Sequence, residues 1–198
     1  MKEEFKKIWQ IAMPYQDKRD DEGHARIVTQ YAIKLCQIED VNDKIVIPAA
    51  ILHDIGWSQL MMVERFAIFD SKSTPDTKAK VRIKHQKEGV KLAKKILNQV
   101  SYSQNLIKPI LEIISQHDTR KNFFSNDDGA VRDADKLWRY SKIGFKADLR
   151  RRGNPFDYYD KLKKRIDEKN FFFFESAKNM ARKELKNRKA EFISDKID

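Results

Sequence analysis

The chain has 198 residues, of which 40% are apolar, enough for one domain with a real core and a short appendage. Its single cysteine, Cys36, excludes an internal disulfide, and no run reaches the roughly 20 apolar residues that span a bilayer. We therefore expect a cytoplasmic protein that contacts no membrane. The net charge of +11 favours anionic partners such as phosphates, nucleotides or nucleic acid.

Helical periodicity dominates the chain, because apolar residues recur at steps of three and four while glycines number only 6 and prolines 5. The pattern predicts an all-α protein. Its helices are expected, to within about 2–4 residues at each end, at 3–13, 23–38, 43–54, 76–98, 104–117, 130–142, 155–168 and 171–193.

Several local signals refine this pattern. Gly56 is expected to end the helix that closes with His53 and Asp54. The Asn-Asp-Asp-Gly cluster at 126–129 predicts a turn. Four phenylalanines at 171–174 predict a helix start whose rings dock on the core, since exposing all four would favour aggregation.

Two prolines, Pro48 and Pro109, leave a choice between a shorter helix and a kinked one, because proline removes a backbone donor inside a helix. The segment 149–155 is the best candidate break. It divides a helical domain at 1–148 from a basic helical extension at 149–198, which we expect to pack on the same domain. The oligomeric state stays open.

The basic extension carries arginines and lysines with interleaved aromatic residues between Arg150 and Arg165. Such a stretch could follow a nucleic-acid backbone. No recognisable nucleic-acid motif accompanies it, so a solvated helix face is the favoured interpretation.

All four histidines, His24, His53, His85 and His117, fall on the apolar face of a predicted helix. One histidine in such a place is more often a packed core residue than a ligand. Four of them, together with two inward carboxylates, favour a shared cation, because carboxylates are rarely buried without a partner. The carboxylates are those of Asp54 and Asp135.

Imidazole and carboxylate ligands suit a divalent metal such as Fe, Mn, Co, Zn or Mg, and the lack of clustered cysteines argues against a thiolate zinc site. Four ligands are enough for one ion. All six are enough for two ions, with Asp54 as the natural bridge because it is flanked by ligands on both sides. The sequence leaves one and two ions open.

The order His24, His53-Asp54, Asp135 resembles the HD superfamily of metal-dependent phosphohydrolases over residues 20–140. The strings AAILHDIG, HQKEGVKLAKKIL and RDADKLWRY carry the resemblance, the last being typical of one subgroup. It implies an HD-domain helical bundle in which these four residues are the core metal ligands. His85 and His117 then stand where two-metal members carry additional histidines.

One position departs from the pattern. Many two-metal members carry a lysine three residues after the aspartate of the doublet, and Trp57 stands there instead. The substrate is therefore left open.

The resemblance implies a metal-dependent phosphohydrolase acting on a nucleotide or other small phosphorylated compound through metal-activated water. We predict catalytic roles for Asp54 and Lys136. Lys136 and Arg139 flank Asp135 and are candidates to bind substrate phosphate, although both also fit a solvent-facing helix surface. Asp118 could orient a water or a ligand histidine, or simply end its helix.

Two other functions share this ligand order. A di-iron oxygenase of the same superfamily, represented by myo-inositol oxygenase, would use the same six residues. A non-catalytic module could keep a metal for folding or sensing.

Overall fold

The computed structural model describes residues 1–152 and 154–194, with only the backbone of Arg152 and of residues 192–194. Over these residues the chain forms ten α-helices, two 3-10 helices and no strand, which confirms the all-α class. None of the described helices combines the length and apolar character needed to cross a bilayer. The α-helices are α1 (Glu3–Ala12), α2 (His24–Cys36), α3 (Asp43–Leu52), α4 (Met62–Ala67), α5 (Pro75–Gln99), α6 (Gln104–Gln116), α7 (Asn126–Trp138), α8 (Lys142–Arg152), α9 (Pro155–Ile166) and α10 (Glu175–Ser194).

The core forms where α2, α3 and α7 pack on one another, with α6 against α3 and α5 against α6. Each helix contributes fully buried aliphatic side chains, among them Leu35, Leu52, Ile110 and Leu137. Burying one such side chain contributes about 1.5–3 kcal/mol. The apolar stripes that predicted the helices are therefore the surfaces that hold the bundle together.

Pro48 lies inside α3 and Pro109 inside α6, so both helices continue through their prolines. Pro48 has no N–H to bond the carbonyl of Lys44, four residues earlier. The Tyr102 hydroxyl donates to that carbonyl at 2.7 Å. A residue outside the helix thus supplies the donor that the proline lacks.

The helix α7 begins four residues earlier than predicted, and the cluster at 126–129 is its first turn rather than a separate turn. Ser125 caps it by accepting the N–H of Asp128 at 3.1 Å. Asp127 and Asp128 then stand at the positive end of the helix dipole, where acidic residues are stabilising.

Two helices, α4 and α8, were not predicted. The sequence of α8, KIGFKADLRRR, has no one-sided apolar stripe, which is the signal that periodicity detects. Most of the predicted break at 149–155 is therefore helical, because α8 runs to Arg152. Asn154 already caps α9, since its side chain accepts the N–H of Phe156 at 2.9 Å. The domain boundary at this point stays a prediction.

The four phenylalanines at 171–174 precede α10 instead of starting it. The Asp133 carboxylate on α7 accepts the N–H groups of Phe173 at 2.9 Å and of Phe174 at 2.8 Å. The ring of Phe173 lies so close to Gly129 that an added Cβ would meet it at 2.4 Å. Burial raises the pKa of the Asp133 carboxyl to about 6. This carboxylate therefore anchors the C-terminal extension to the helix that also carries Asp135.

Replacing Asp133 by alanine is expected to lower the free energy of unfolding by about 2–3 kcal/mol, because two backbone donors lose their acceptor. Urea denaturation would measure the loss. Asp133→Asn keeps one acceptor oxygen and is expected to lose less. An alanine variant as stable as the wild type would contradict the anchoring role.

Candidate metal centre

The four histidines converge from four different helices. His24 is the first residue of α2, His85 lies within α5, and His53 and His117 directly follow the last residues of α3 and α6. Their Nε2 atoms meet in two pairs, His24 with His53 at 3.1 Å and His85 with His117 at 3.3 Å. All four side chains are buried. The apolar faces that placed them in the core thus bring them to one point.

Asp54 lies between the two pairs. Its Oδ2 is 3.3 Å from Nε2 of His24 and 3.6 Å from Nε2 of His53. Its Oδ1 is 3.2 Å from Nε2 of His117 and 3.6 Å from Nε2 of His85. The two oxygens of one carboxylate therefore face different histidine pairs.

Asp135 joins only the first pair. Its Oδ1 is 3.5 Å from Nε2 of His24 and 3.7 Å from Nε2 of His53. Within each of two groups the ligand atoms lie no more than 4.8 Å apart. We call them the first group, His24, His53 and Asp135, and the second group, Asp54, His85 and His117.

Adjacent residues on a regular helix point about 100° apart, so the His53-Asp54 doublet needs a helix end to face one centre. The helix α3 ends at Leu52, and Asp54 has φ −106° and ψ 1°, outside regular helical values. A 3-10 helix, Ile55–Gln59, follows at once.

Gly56 lies inside this 3-10 helix, and the prediction that it closes the preceding helix is wrong. Gly56 does not have the positive φ of a glycine that ends a helix. A Cβ at Gly56 would lie 1.9 Å from the carbonyl oxygen of His85 and 2.5 Å from the backbone N of Gly89. A glycine is needed here because the backbone of the doublet segment touches the backbone of α5.

Backbone carbonyls set the ring orientation of two histidines. Nδ1 of His53 lies 2.8 Å from the carbonyl oxygen of Ala50, and Nδ1 of His117 lies 2.9 Å from that of Ile114. An Nδ1–H donated to a carbonyl leaves the Nε2 lone pair directed at the centre. This is the tautomer that a metal ligand needs.

The charges of the centre are strongly coupled. Burial alone would raise the pKa of the Asp54 carboxyl, but Arg19 and His53 outweigh it and hold this pKa well below its usual range. Likewise His53 and Arg139 outweigh burial and depress the pKa of Asp135. Burial lowers the pKa of His85 to about 3. The two carboxylates are thus ionised in a nearly closed space.

The raised pKa of His53 indicates that the centre attracts positive charge. Burial opposes its charged form, but Asp54 and Asp135 raise its pKa to about 9. A metal cation would compete with this proton for Nε2, drawn by the same two carboxylates.

The ligand spacing also fits a metal. Nitrogen and oxygen atoms bound at about 2.1 Å to one ion lie roughly 3.0–3.4 Å from each other. The closest contacts of the two groups, at 3.1 Å and 3.2 Å, fall in this range, and the longest, at 3.7 Å, lies slightly above it. Small side-chain shifts would therefore complete the coordination.

A cleft of about 50 Å³, enough for a few water molecules, opens beside the centre. Three guanidinium groups line it, those of Arg19, Arg139 and Arg151. Nε of Arg139 lies 3.9 Å from an oxygen of Asp148, and Nη1 of Arg151 lies 3.2 Å from the other. The cleft therefore combines the carboxylates that could hold a metal with cations suited to phosphate oxygens.

Arg19 was missed in the sequence because its position depends on a loop. Its Nη2 lies 2.5 Å from Oδ2 of Asp54. Asp17 and Asp20 adopt positive φ values of 54° and 56°, Gly23 has φ 80°, and the Asp17 carboxylate accepts the Gly23 N–H at 2.8 Å. Only this tightly wound loop turns the guanidinium towards the centre, and the sequence carries no periodic signal for it.

Lys136 lies elsewhere. Its ammonium group donates to the carbonyl of Phe171, lies 3.8 Å from an oxygen of Asp133 and sits 4.7 Å from the centre of the Phe123 ring. Burial lowers its pKa to about 8. The structure thus does not bring Lys136 into the cleft, because a helix turns it about 100° away from Asp135.

Asp118 lines the cleft beside the second group. Its Oδ2 is 3.6 Å from Nε2 of His85 and 4.0 Å from Nε2 of His117, and its side chain is 28% exposed. It approaches the metal-facing nitrogens and not Nδ1. An oxygen in this place can orient a water molecule at the centre.

Comparisons with known proteins agree with this architecture. The family model described as HD domain matches residues 22–140, a range that contains all six ligand candidates. The fold is similar to the crystal structure of a predicted HD superfamily hydrolase from an uncultured Thermotogales bacterium, with a TM-score of 0.60, 19% identity, and coverage of 98% of this chain and 90% of that chain. A search of curated protein sequences finds no significant match. The chain belongs to the HD domain family.

Proposed function

We propose that the protein is a metal-dependent phosphohydrolase acting on a nucleotide or another small phosphorylated compound. The observation that carries the proposal is Asp54, whose two oxygens face two separate groups of ligand atoms. Two divalent cations held by these groups would supply positive charge for a phosphoryl group and would lower the pKa of a water molecule.

The six ligands would divide by group. His24, His53 and Asp135 with Oδ2 of Asp54 would hold one ion, and His85 and His117 with Oδ1 of Asp54 the other. The mixture of imidazole and carboxylate suits Mn, Fe, Co or Zn, and also accepts Mg.

The charge of the cleft supports two cations and an anionic substrate. Its five carboxylates outnumber its three guanidinium groups by two. One divalent cation would balance this excess, and a second would make the cleft positive by two charges. Such a cleft attracts a dianion such as a phosphate monoester. The carboxylates are those of Asp21, Asp54, Asp118, Asp135 and Asp148.

Different residues of the cleft would bind the phosphate and orient the attacking water. Arg139 and Arg151 line the cleft and would hold the phosphate oxygens and stabilise the charge that develops on them. Asp118 offers a carboxylate oxygen to orient the attacking water and accept its proton. The small volume admits the phosphoryl end of a substrate, so the rest of the molecule would lie outside the cleft.

Phosphate release tests the proposal. Protein stripped with a chelator would be reloaded separately with Mn, Fe, Co, Zn or Mg and assayed for phosphate or pyrophosphate release from nucleotides and sugar phosphates. Metal-dependent release in anaerobic buffer would support the hydrolase and exclude an oxygen-dependent reaction. Silence of every metal-loaded form across the panel would overturn the proposal.

Lys136, in the last turn of α7, and Arg139, the residue directly after α7, offer a matched test of phosphate binding. Arg139→Ala is expected to lower kcat/KM by about 10–100-fold, because a charge-assisted hydrogen bond contributes about 1.5–3 kcal/mol. Lys136→Ala is expected to lower stability while leaving kcat/KM within about threefold, since its ammonium group binds the Phe171 carbonyl outside the cleft. Steady-state kinetics and thermal melts would separate the two effects. Equal losses of kcat/KM in the two variants would contradict the assignment and would indicate that Lys136 also binds substrate.

A further inference from the structure

Trp57 occupies a position that the proposed reaction does not use. It lies in the 3-10 helix after Asp54, and its side chain is only 1% exposed. The guanidinium carbon of Arg19 lies 4.3 Å from the centre of the Trp57 ring. The His85 imidazole stacks on Trp57 with ring centres 3.9 Å apart and planes within 12°.

The same indole also touches the bridging carboxylate. Nε1 of Trp57 donates to Oδ1 of Asp54 at 3.1 Å. This oxygen faces His85 and His117, the histidines of the second group. One side chain thus contacts two of the three ligands in that group.

His85 depends on this contact more than His53 and His117 do, and among the described residues it shares a buried Nδ1 without a hydrogen-bond partner only with His24, whose ring Trp138 meets edge-on. Nδ1 of His53 and Nδ1 of His117 lie within hydrogen-bond distance of backbone carbonyls, whereas Nδ1 of His85 is buried with no hydrogen-bond partner among the described residues. No hydrogen bond at Nδ1 therefore fixes the rotation of the His85 ring. The nearly parallel stack on Trp57 is the contact that can fix it.

We propose that Trp57 is a positioning residue for the second group: it holds the ring plane of His85 by stacking and holds Oδ1 of Asp54 by a hydrogen bond. Ligands held in place before the ion arrives lose less conformational freedom on binding. Partners that orient metal ligands typically contribute 10–100-fold in metal affinity. The inference rests on the proposed function in that the second group binds a cation.

Trp57→Phe tests the role. Phenylalanine keeps an aromatic face but has no N–H for Asp54 and stacks over less of the imidazole. In chelator-stripped protein titrated with Mn²⁺ by calorimetry, the variant is expected to bind one ion as the wild type does and the other, the ion of the second group, about 10–100-fold more weakly. A loss of general packing would not single out one of two ions.

Trp138→Phe is the matched control. Trp138 is also buried, at 3% exposure, but its ring meets His24 of the first group edge-on, with ring centres 4.9 Å apart. Its Nε1 has no hydrogen-bond partner among the described residues. The control is expected to keep wild-type affinity for the second ion. Wild-type affinity in Trp57→Phe, or an equal loss in both variants, would overturn the proposal.

Fluorescence gives a second readout that does not need a Trp57 variant. Replacing Trp9 and Trp138 by phenylalanine leaves Trp57 as the only one of the three tryptophans. Its emission is expected to be quenched mainly by one of the two Mn²⁺ equivalents, the one that fills the second group, because the indole stacks on a candidate ligand of that group. Equal quenching by both equivalents, or none at all, would contradict the proposal, as would a wild-type protein that binds only one ion.

The binding experiments also separate this inference from the proposed reaction. A protein that binds two Mn²⁺ ions in a Trp57-dependent way but releases no phosphate would keep the positioning role and lose the hydrolase. A protein that hydrolyses phosphate while Trp57→Phe binds both ions normally would do the reverse.

Discussion

Replacing Asp54 by alanine is expected to remove both metal ions and to lower phosphate release by about 10³-fold or more. The reason is that Asp54 alone among the described residues lies against both histidine pairs, with one oxygen 3.3 Å from His24 and the other 3.2 Å from His117. Its loss would leave the second group with two candidate ligands and the first with three, and would remove the negative charge that attracts a cation to both groups.

Metal analysis together with the phosphate assay would measure this effect. Asp118→Ala is the matched control, because Asp118 is also an aspartate beside His85 and His117 but does not reach the first group. The control is expected to lower activity while keeping at least one ion. An Asp54→Ala protein that still binds two ions would contradict the bridging role.

The alanine substitution also leaves Arg19 without its closest partner. Of its two carboxylate partners among the described residues Arg19 would keep Asp21, at 3.2 Å, and the loss of the closer partner of a buried charge is destabilising. Asp54→Asn, which keeps the shape and one acceptor oxygen, would check that lost activity is not simply lost folding. A folded asparagine variant without metal is the expected result.

Gly56→Ala is expected to lower the free energy of unfolding by about 3 kcal/mol or more. Its methyl group would lie 1.9 Å from the His85 carbonyl oxygen, a backbone atom that cannot rotate away. Relief requires α5 to move from the doublet segment, which would also displace His85 from Asp54. Urea denaturation and the affinity for the second ion should therefore change together.

Gly89→Ala is the control from the other side of this contact. A Cβ at Gly89 would meet nothing closer than Cγ2 of Ile114 at 3.5 Å, an ordinary packing distance. Because alanine is favoured over glycine inside a helix, this variant is expected to gain about 0.5–1 kcal/mol. If Gly56→Ala were as stable as Gly89→Ala, the close approach of the two backbones would be contradicted.

The helical class and the clustering of the six candidate ligands could both be predicted from the amino-acid order, for one physical reason. Burial of a histidine or carboxylate is unfavourable without a partner, so His24, His85 and Asp135 on apolar helix faces had to meet something in the core. The predicted ends of α3 and α6 lie within two residues of the observed ends, which was close enough to predict that His53 and His117 would point inward. The structure places these side chains around one centre, with Asp54 between them.

Other elements escaped prediction because nothing local specifies them. The helix α8 has no apolar stripe, so only its packing in the bundle reveals it. Lys136 and Arg139 are both basic neighbours of Asp135, and only the turn of α7 and the position of Phe171 separate their surroundings.

The contacts around Asp54 show most clearly what tertiary structure added. In the sequence Trp57 was only the residue that replaces a lysine, and Arg19 was an ordinary charge before a helix. The loop at 17–23 and the close approach of Gly56 to α5 bring both side chains into contact with the candidate metal ligands. A periodic pattern reports which face of a helix is buried, whereas these contacts arise between segments far apart in the chain, whose meeting depends on the packing of the whole bundle.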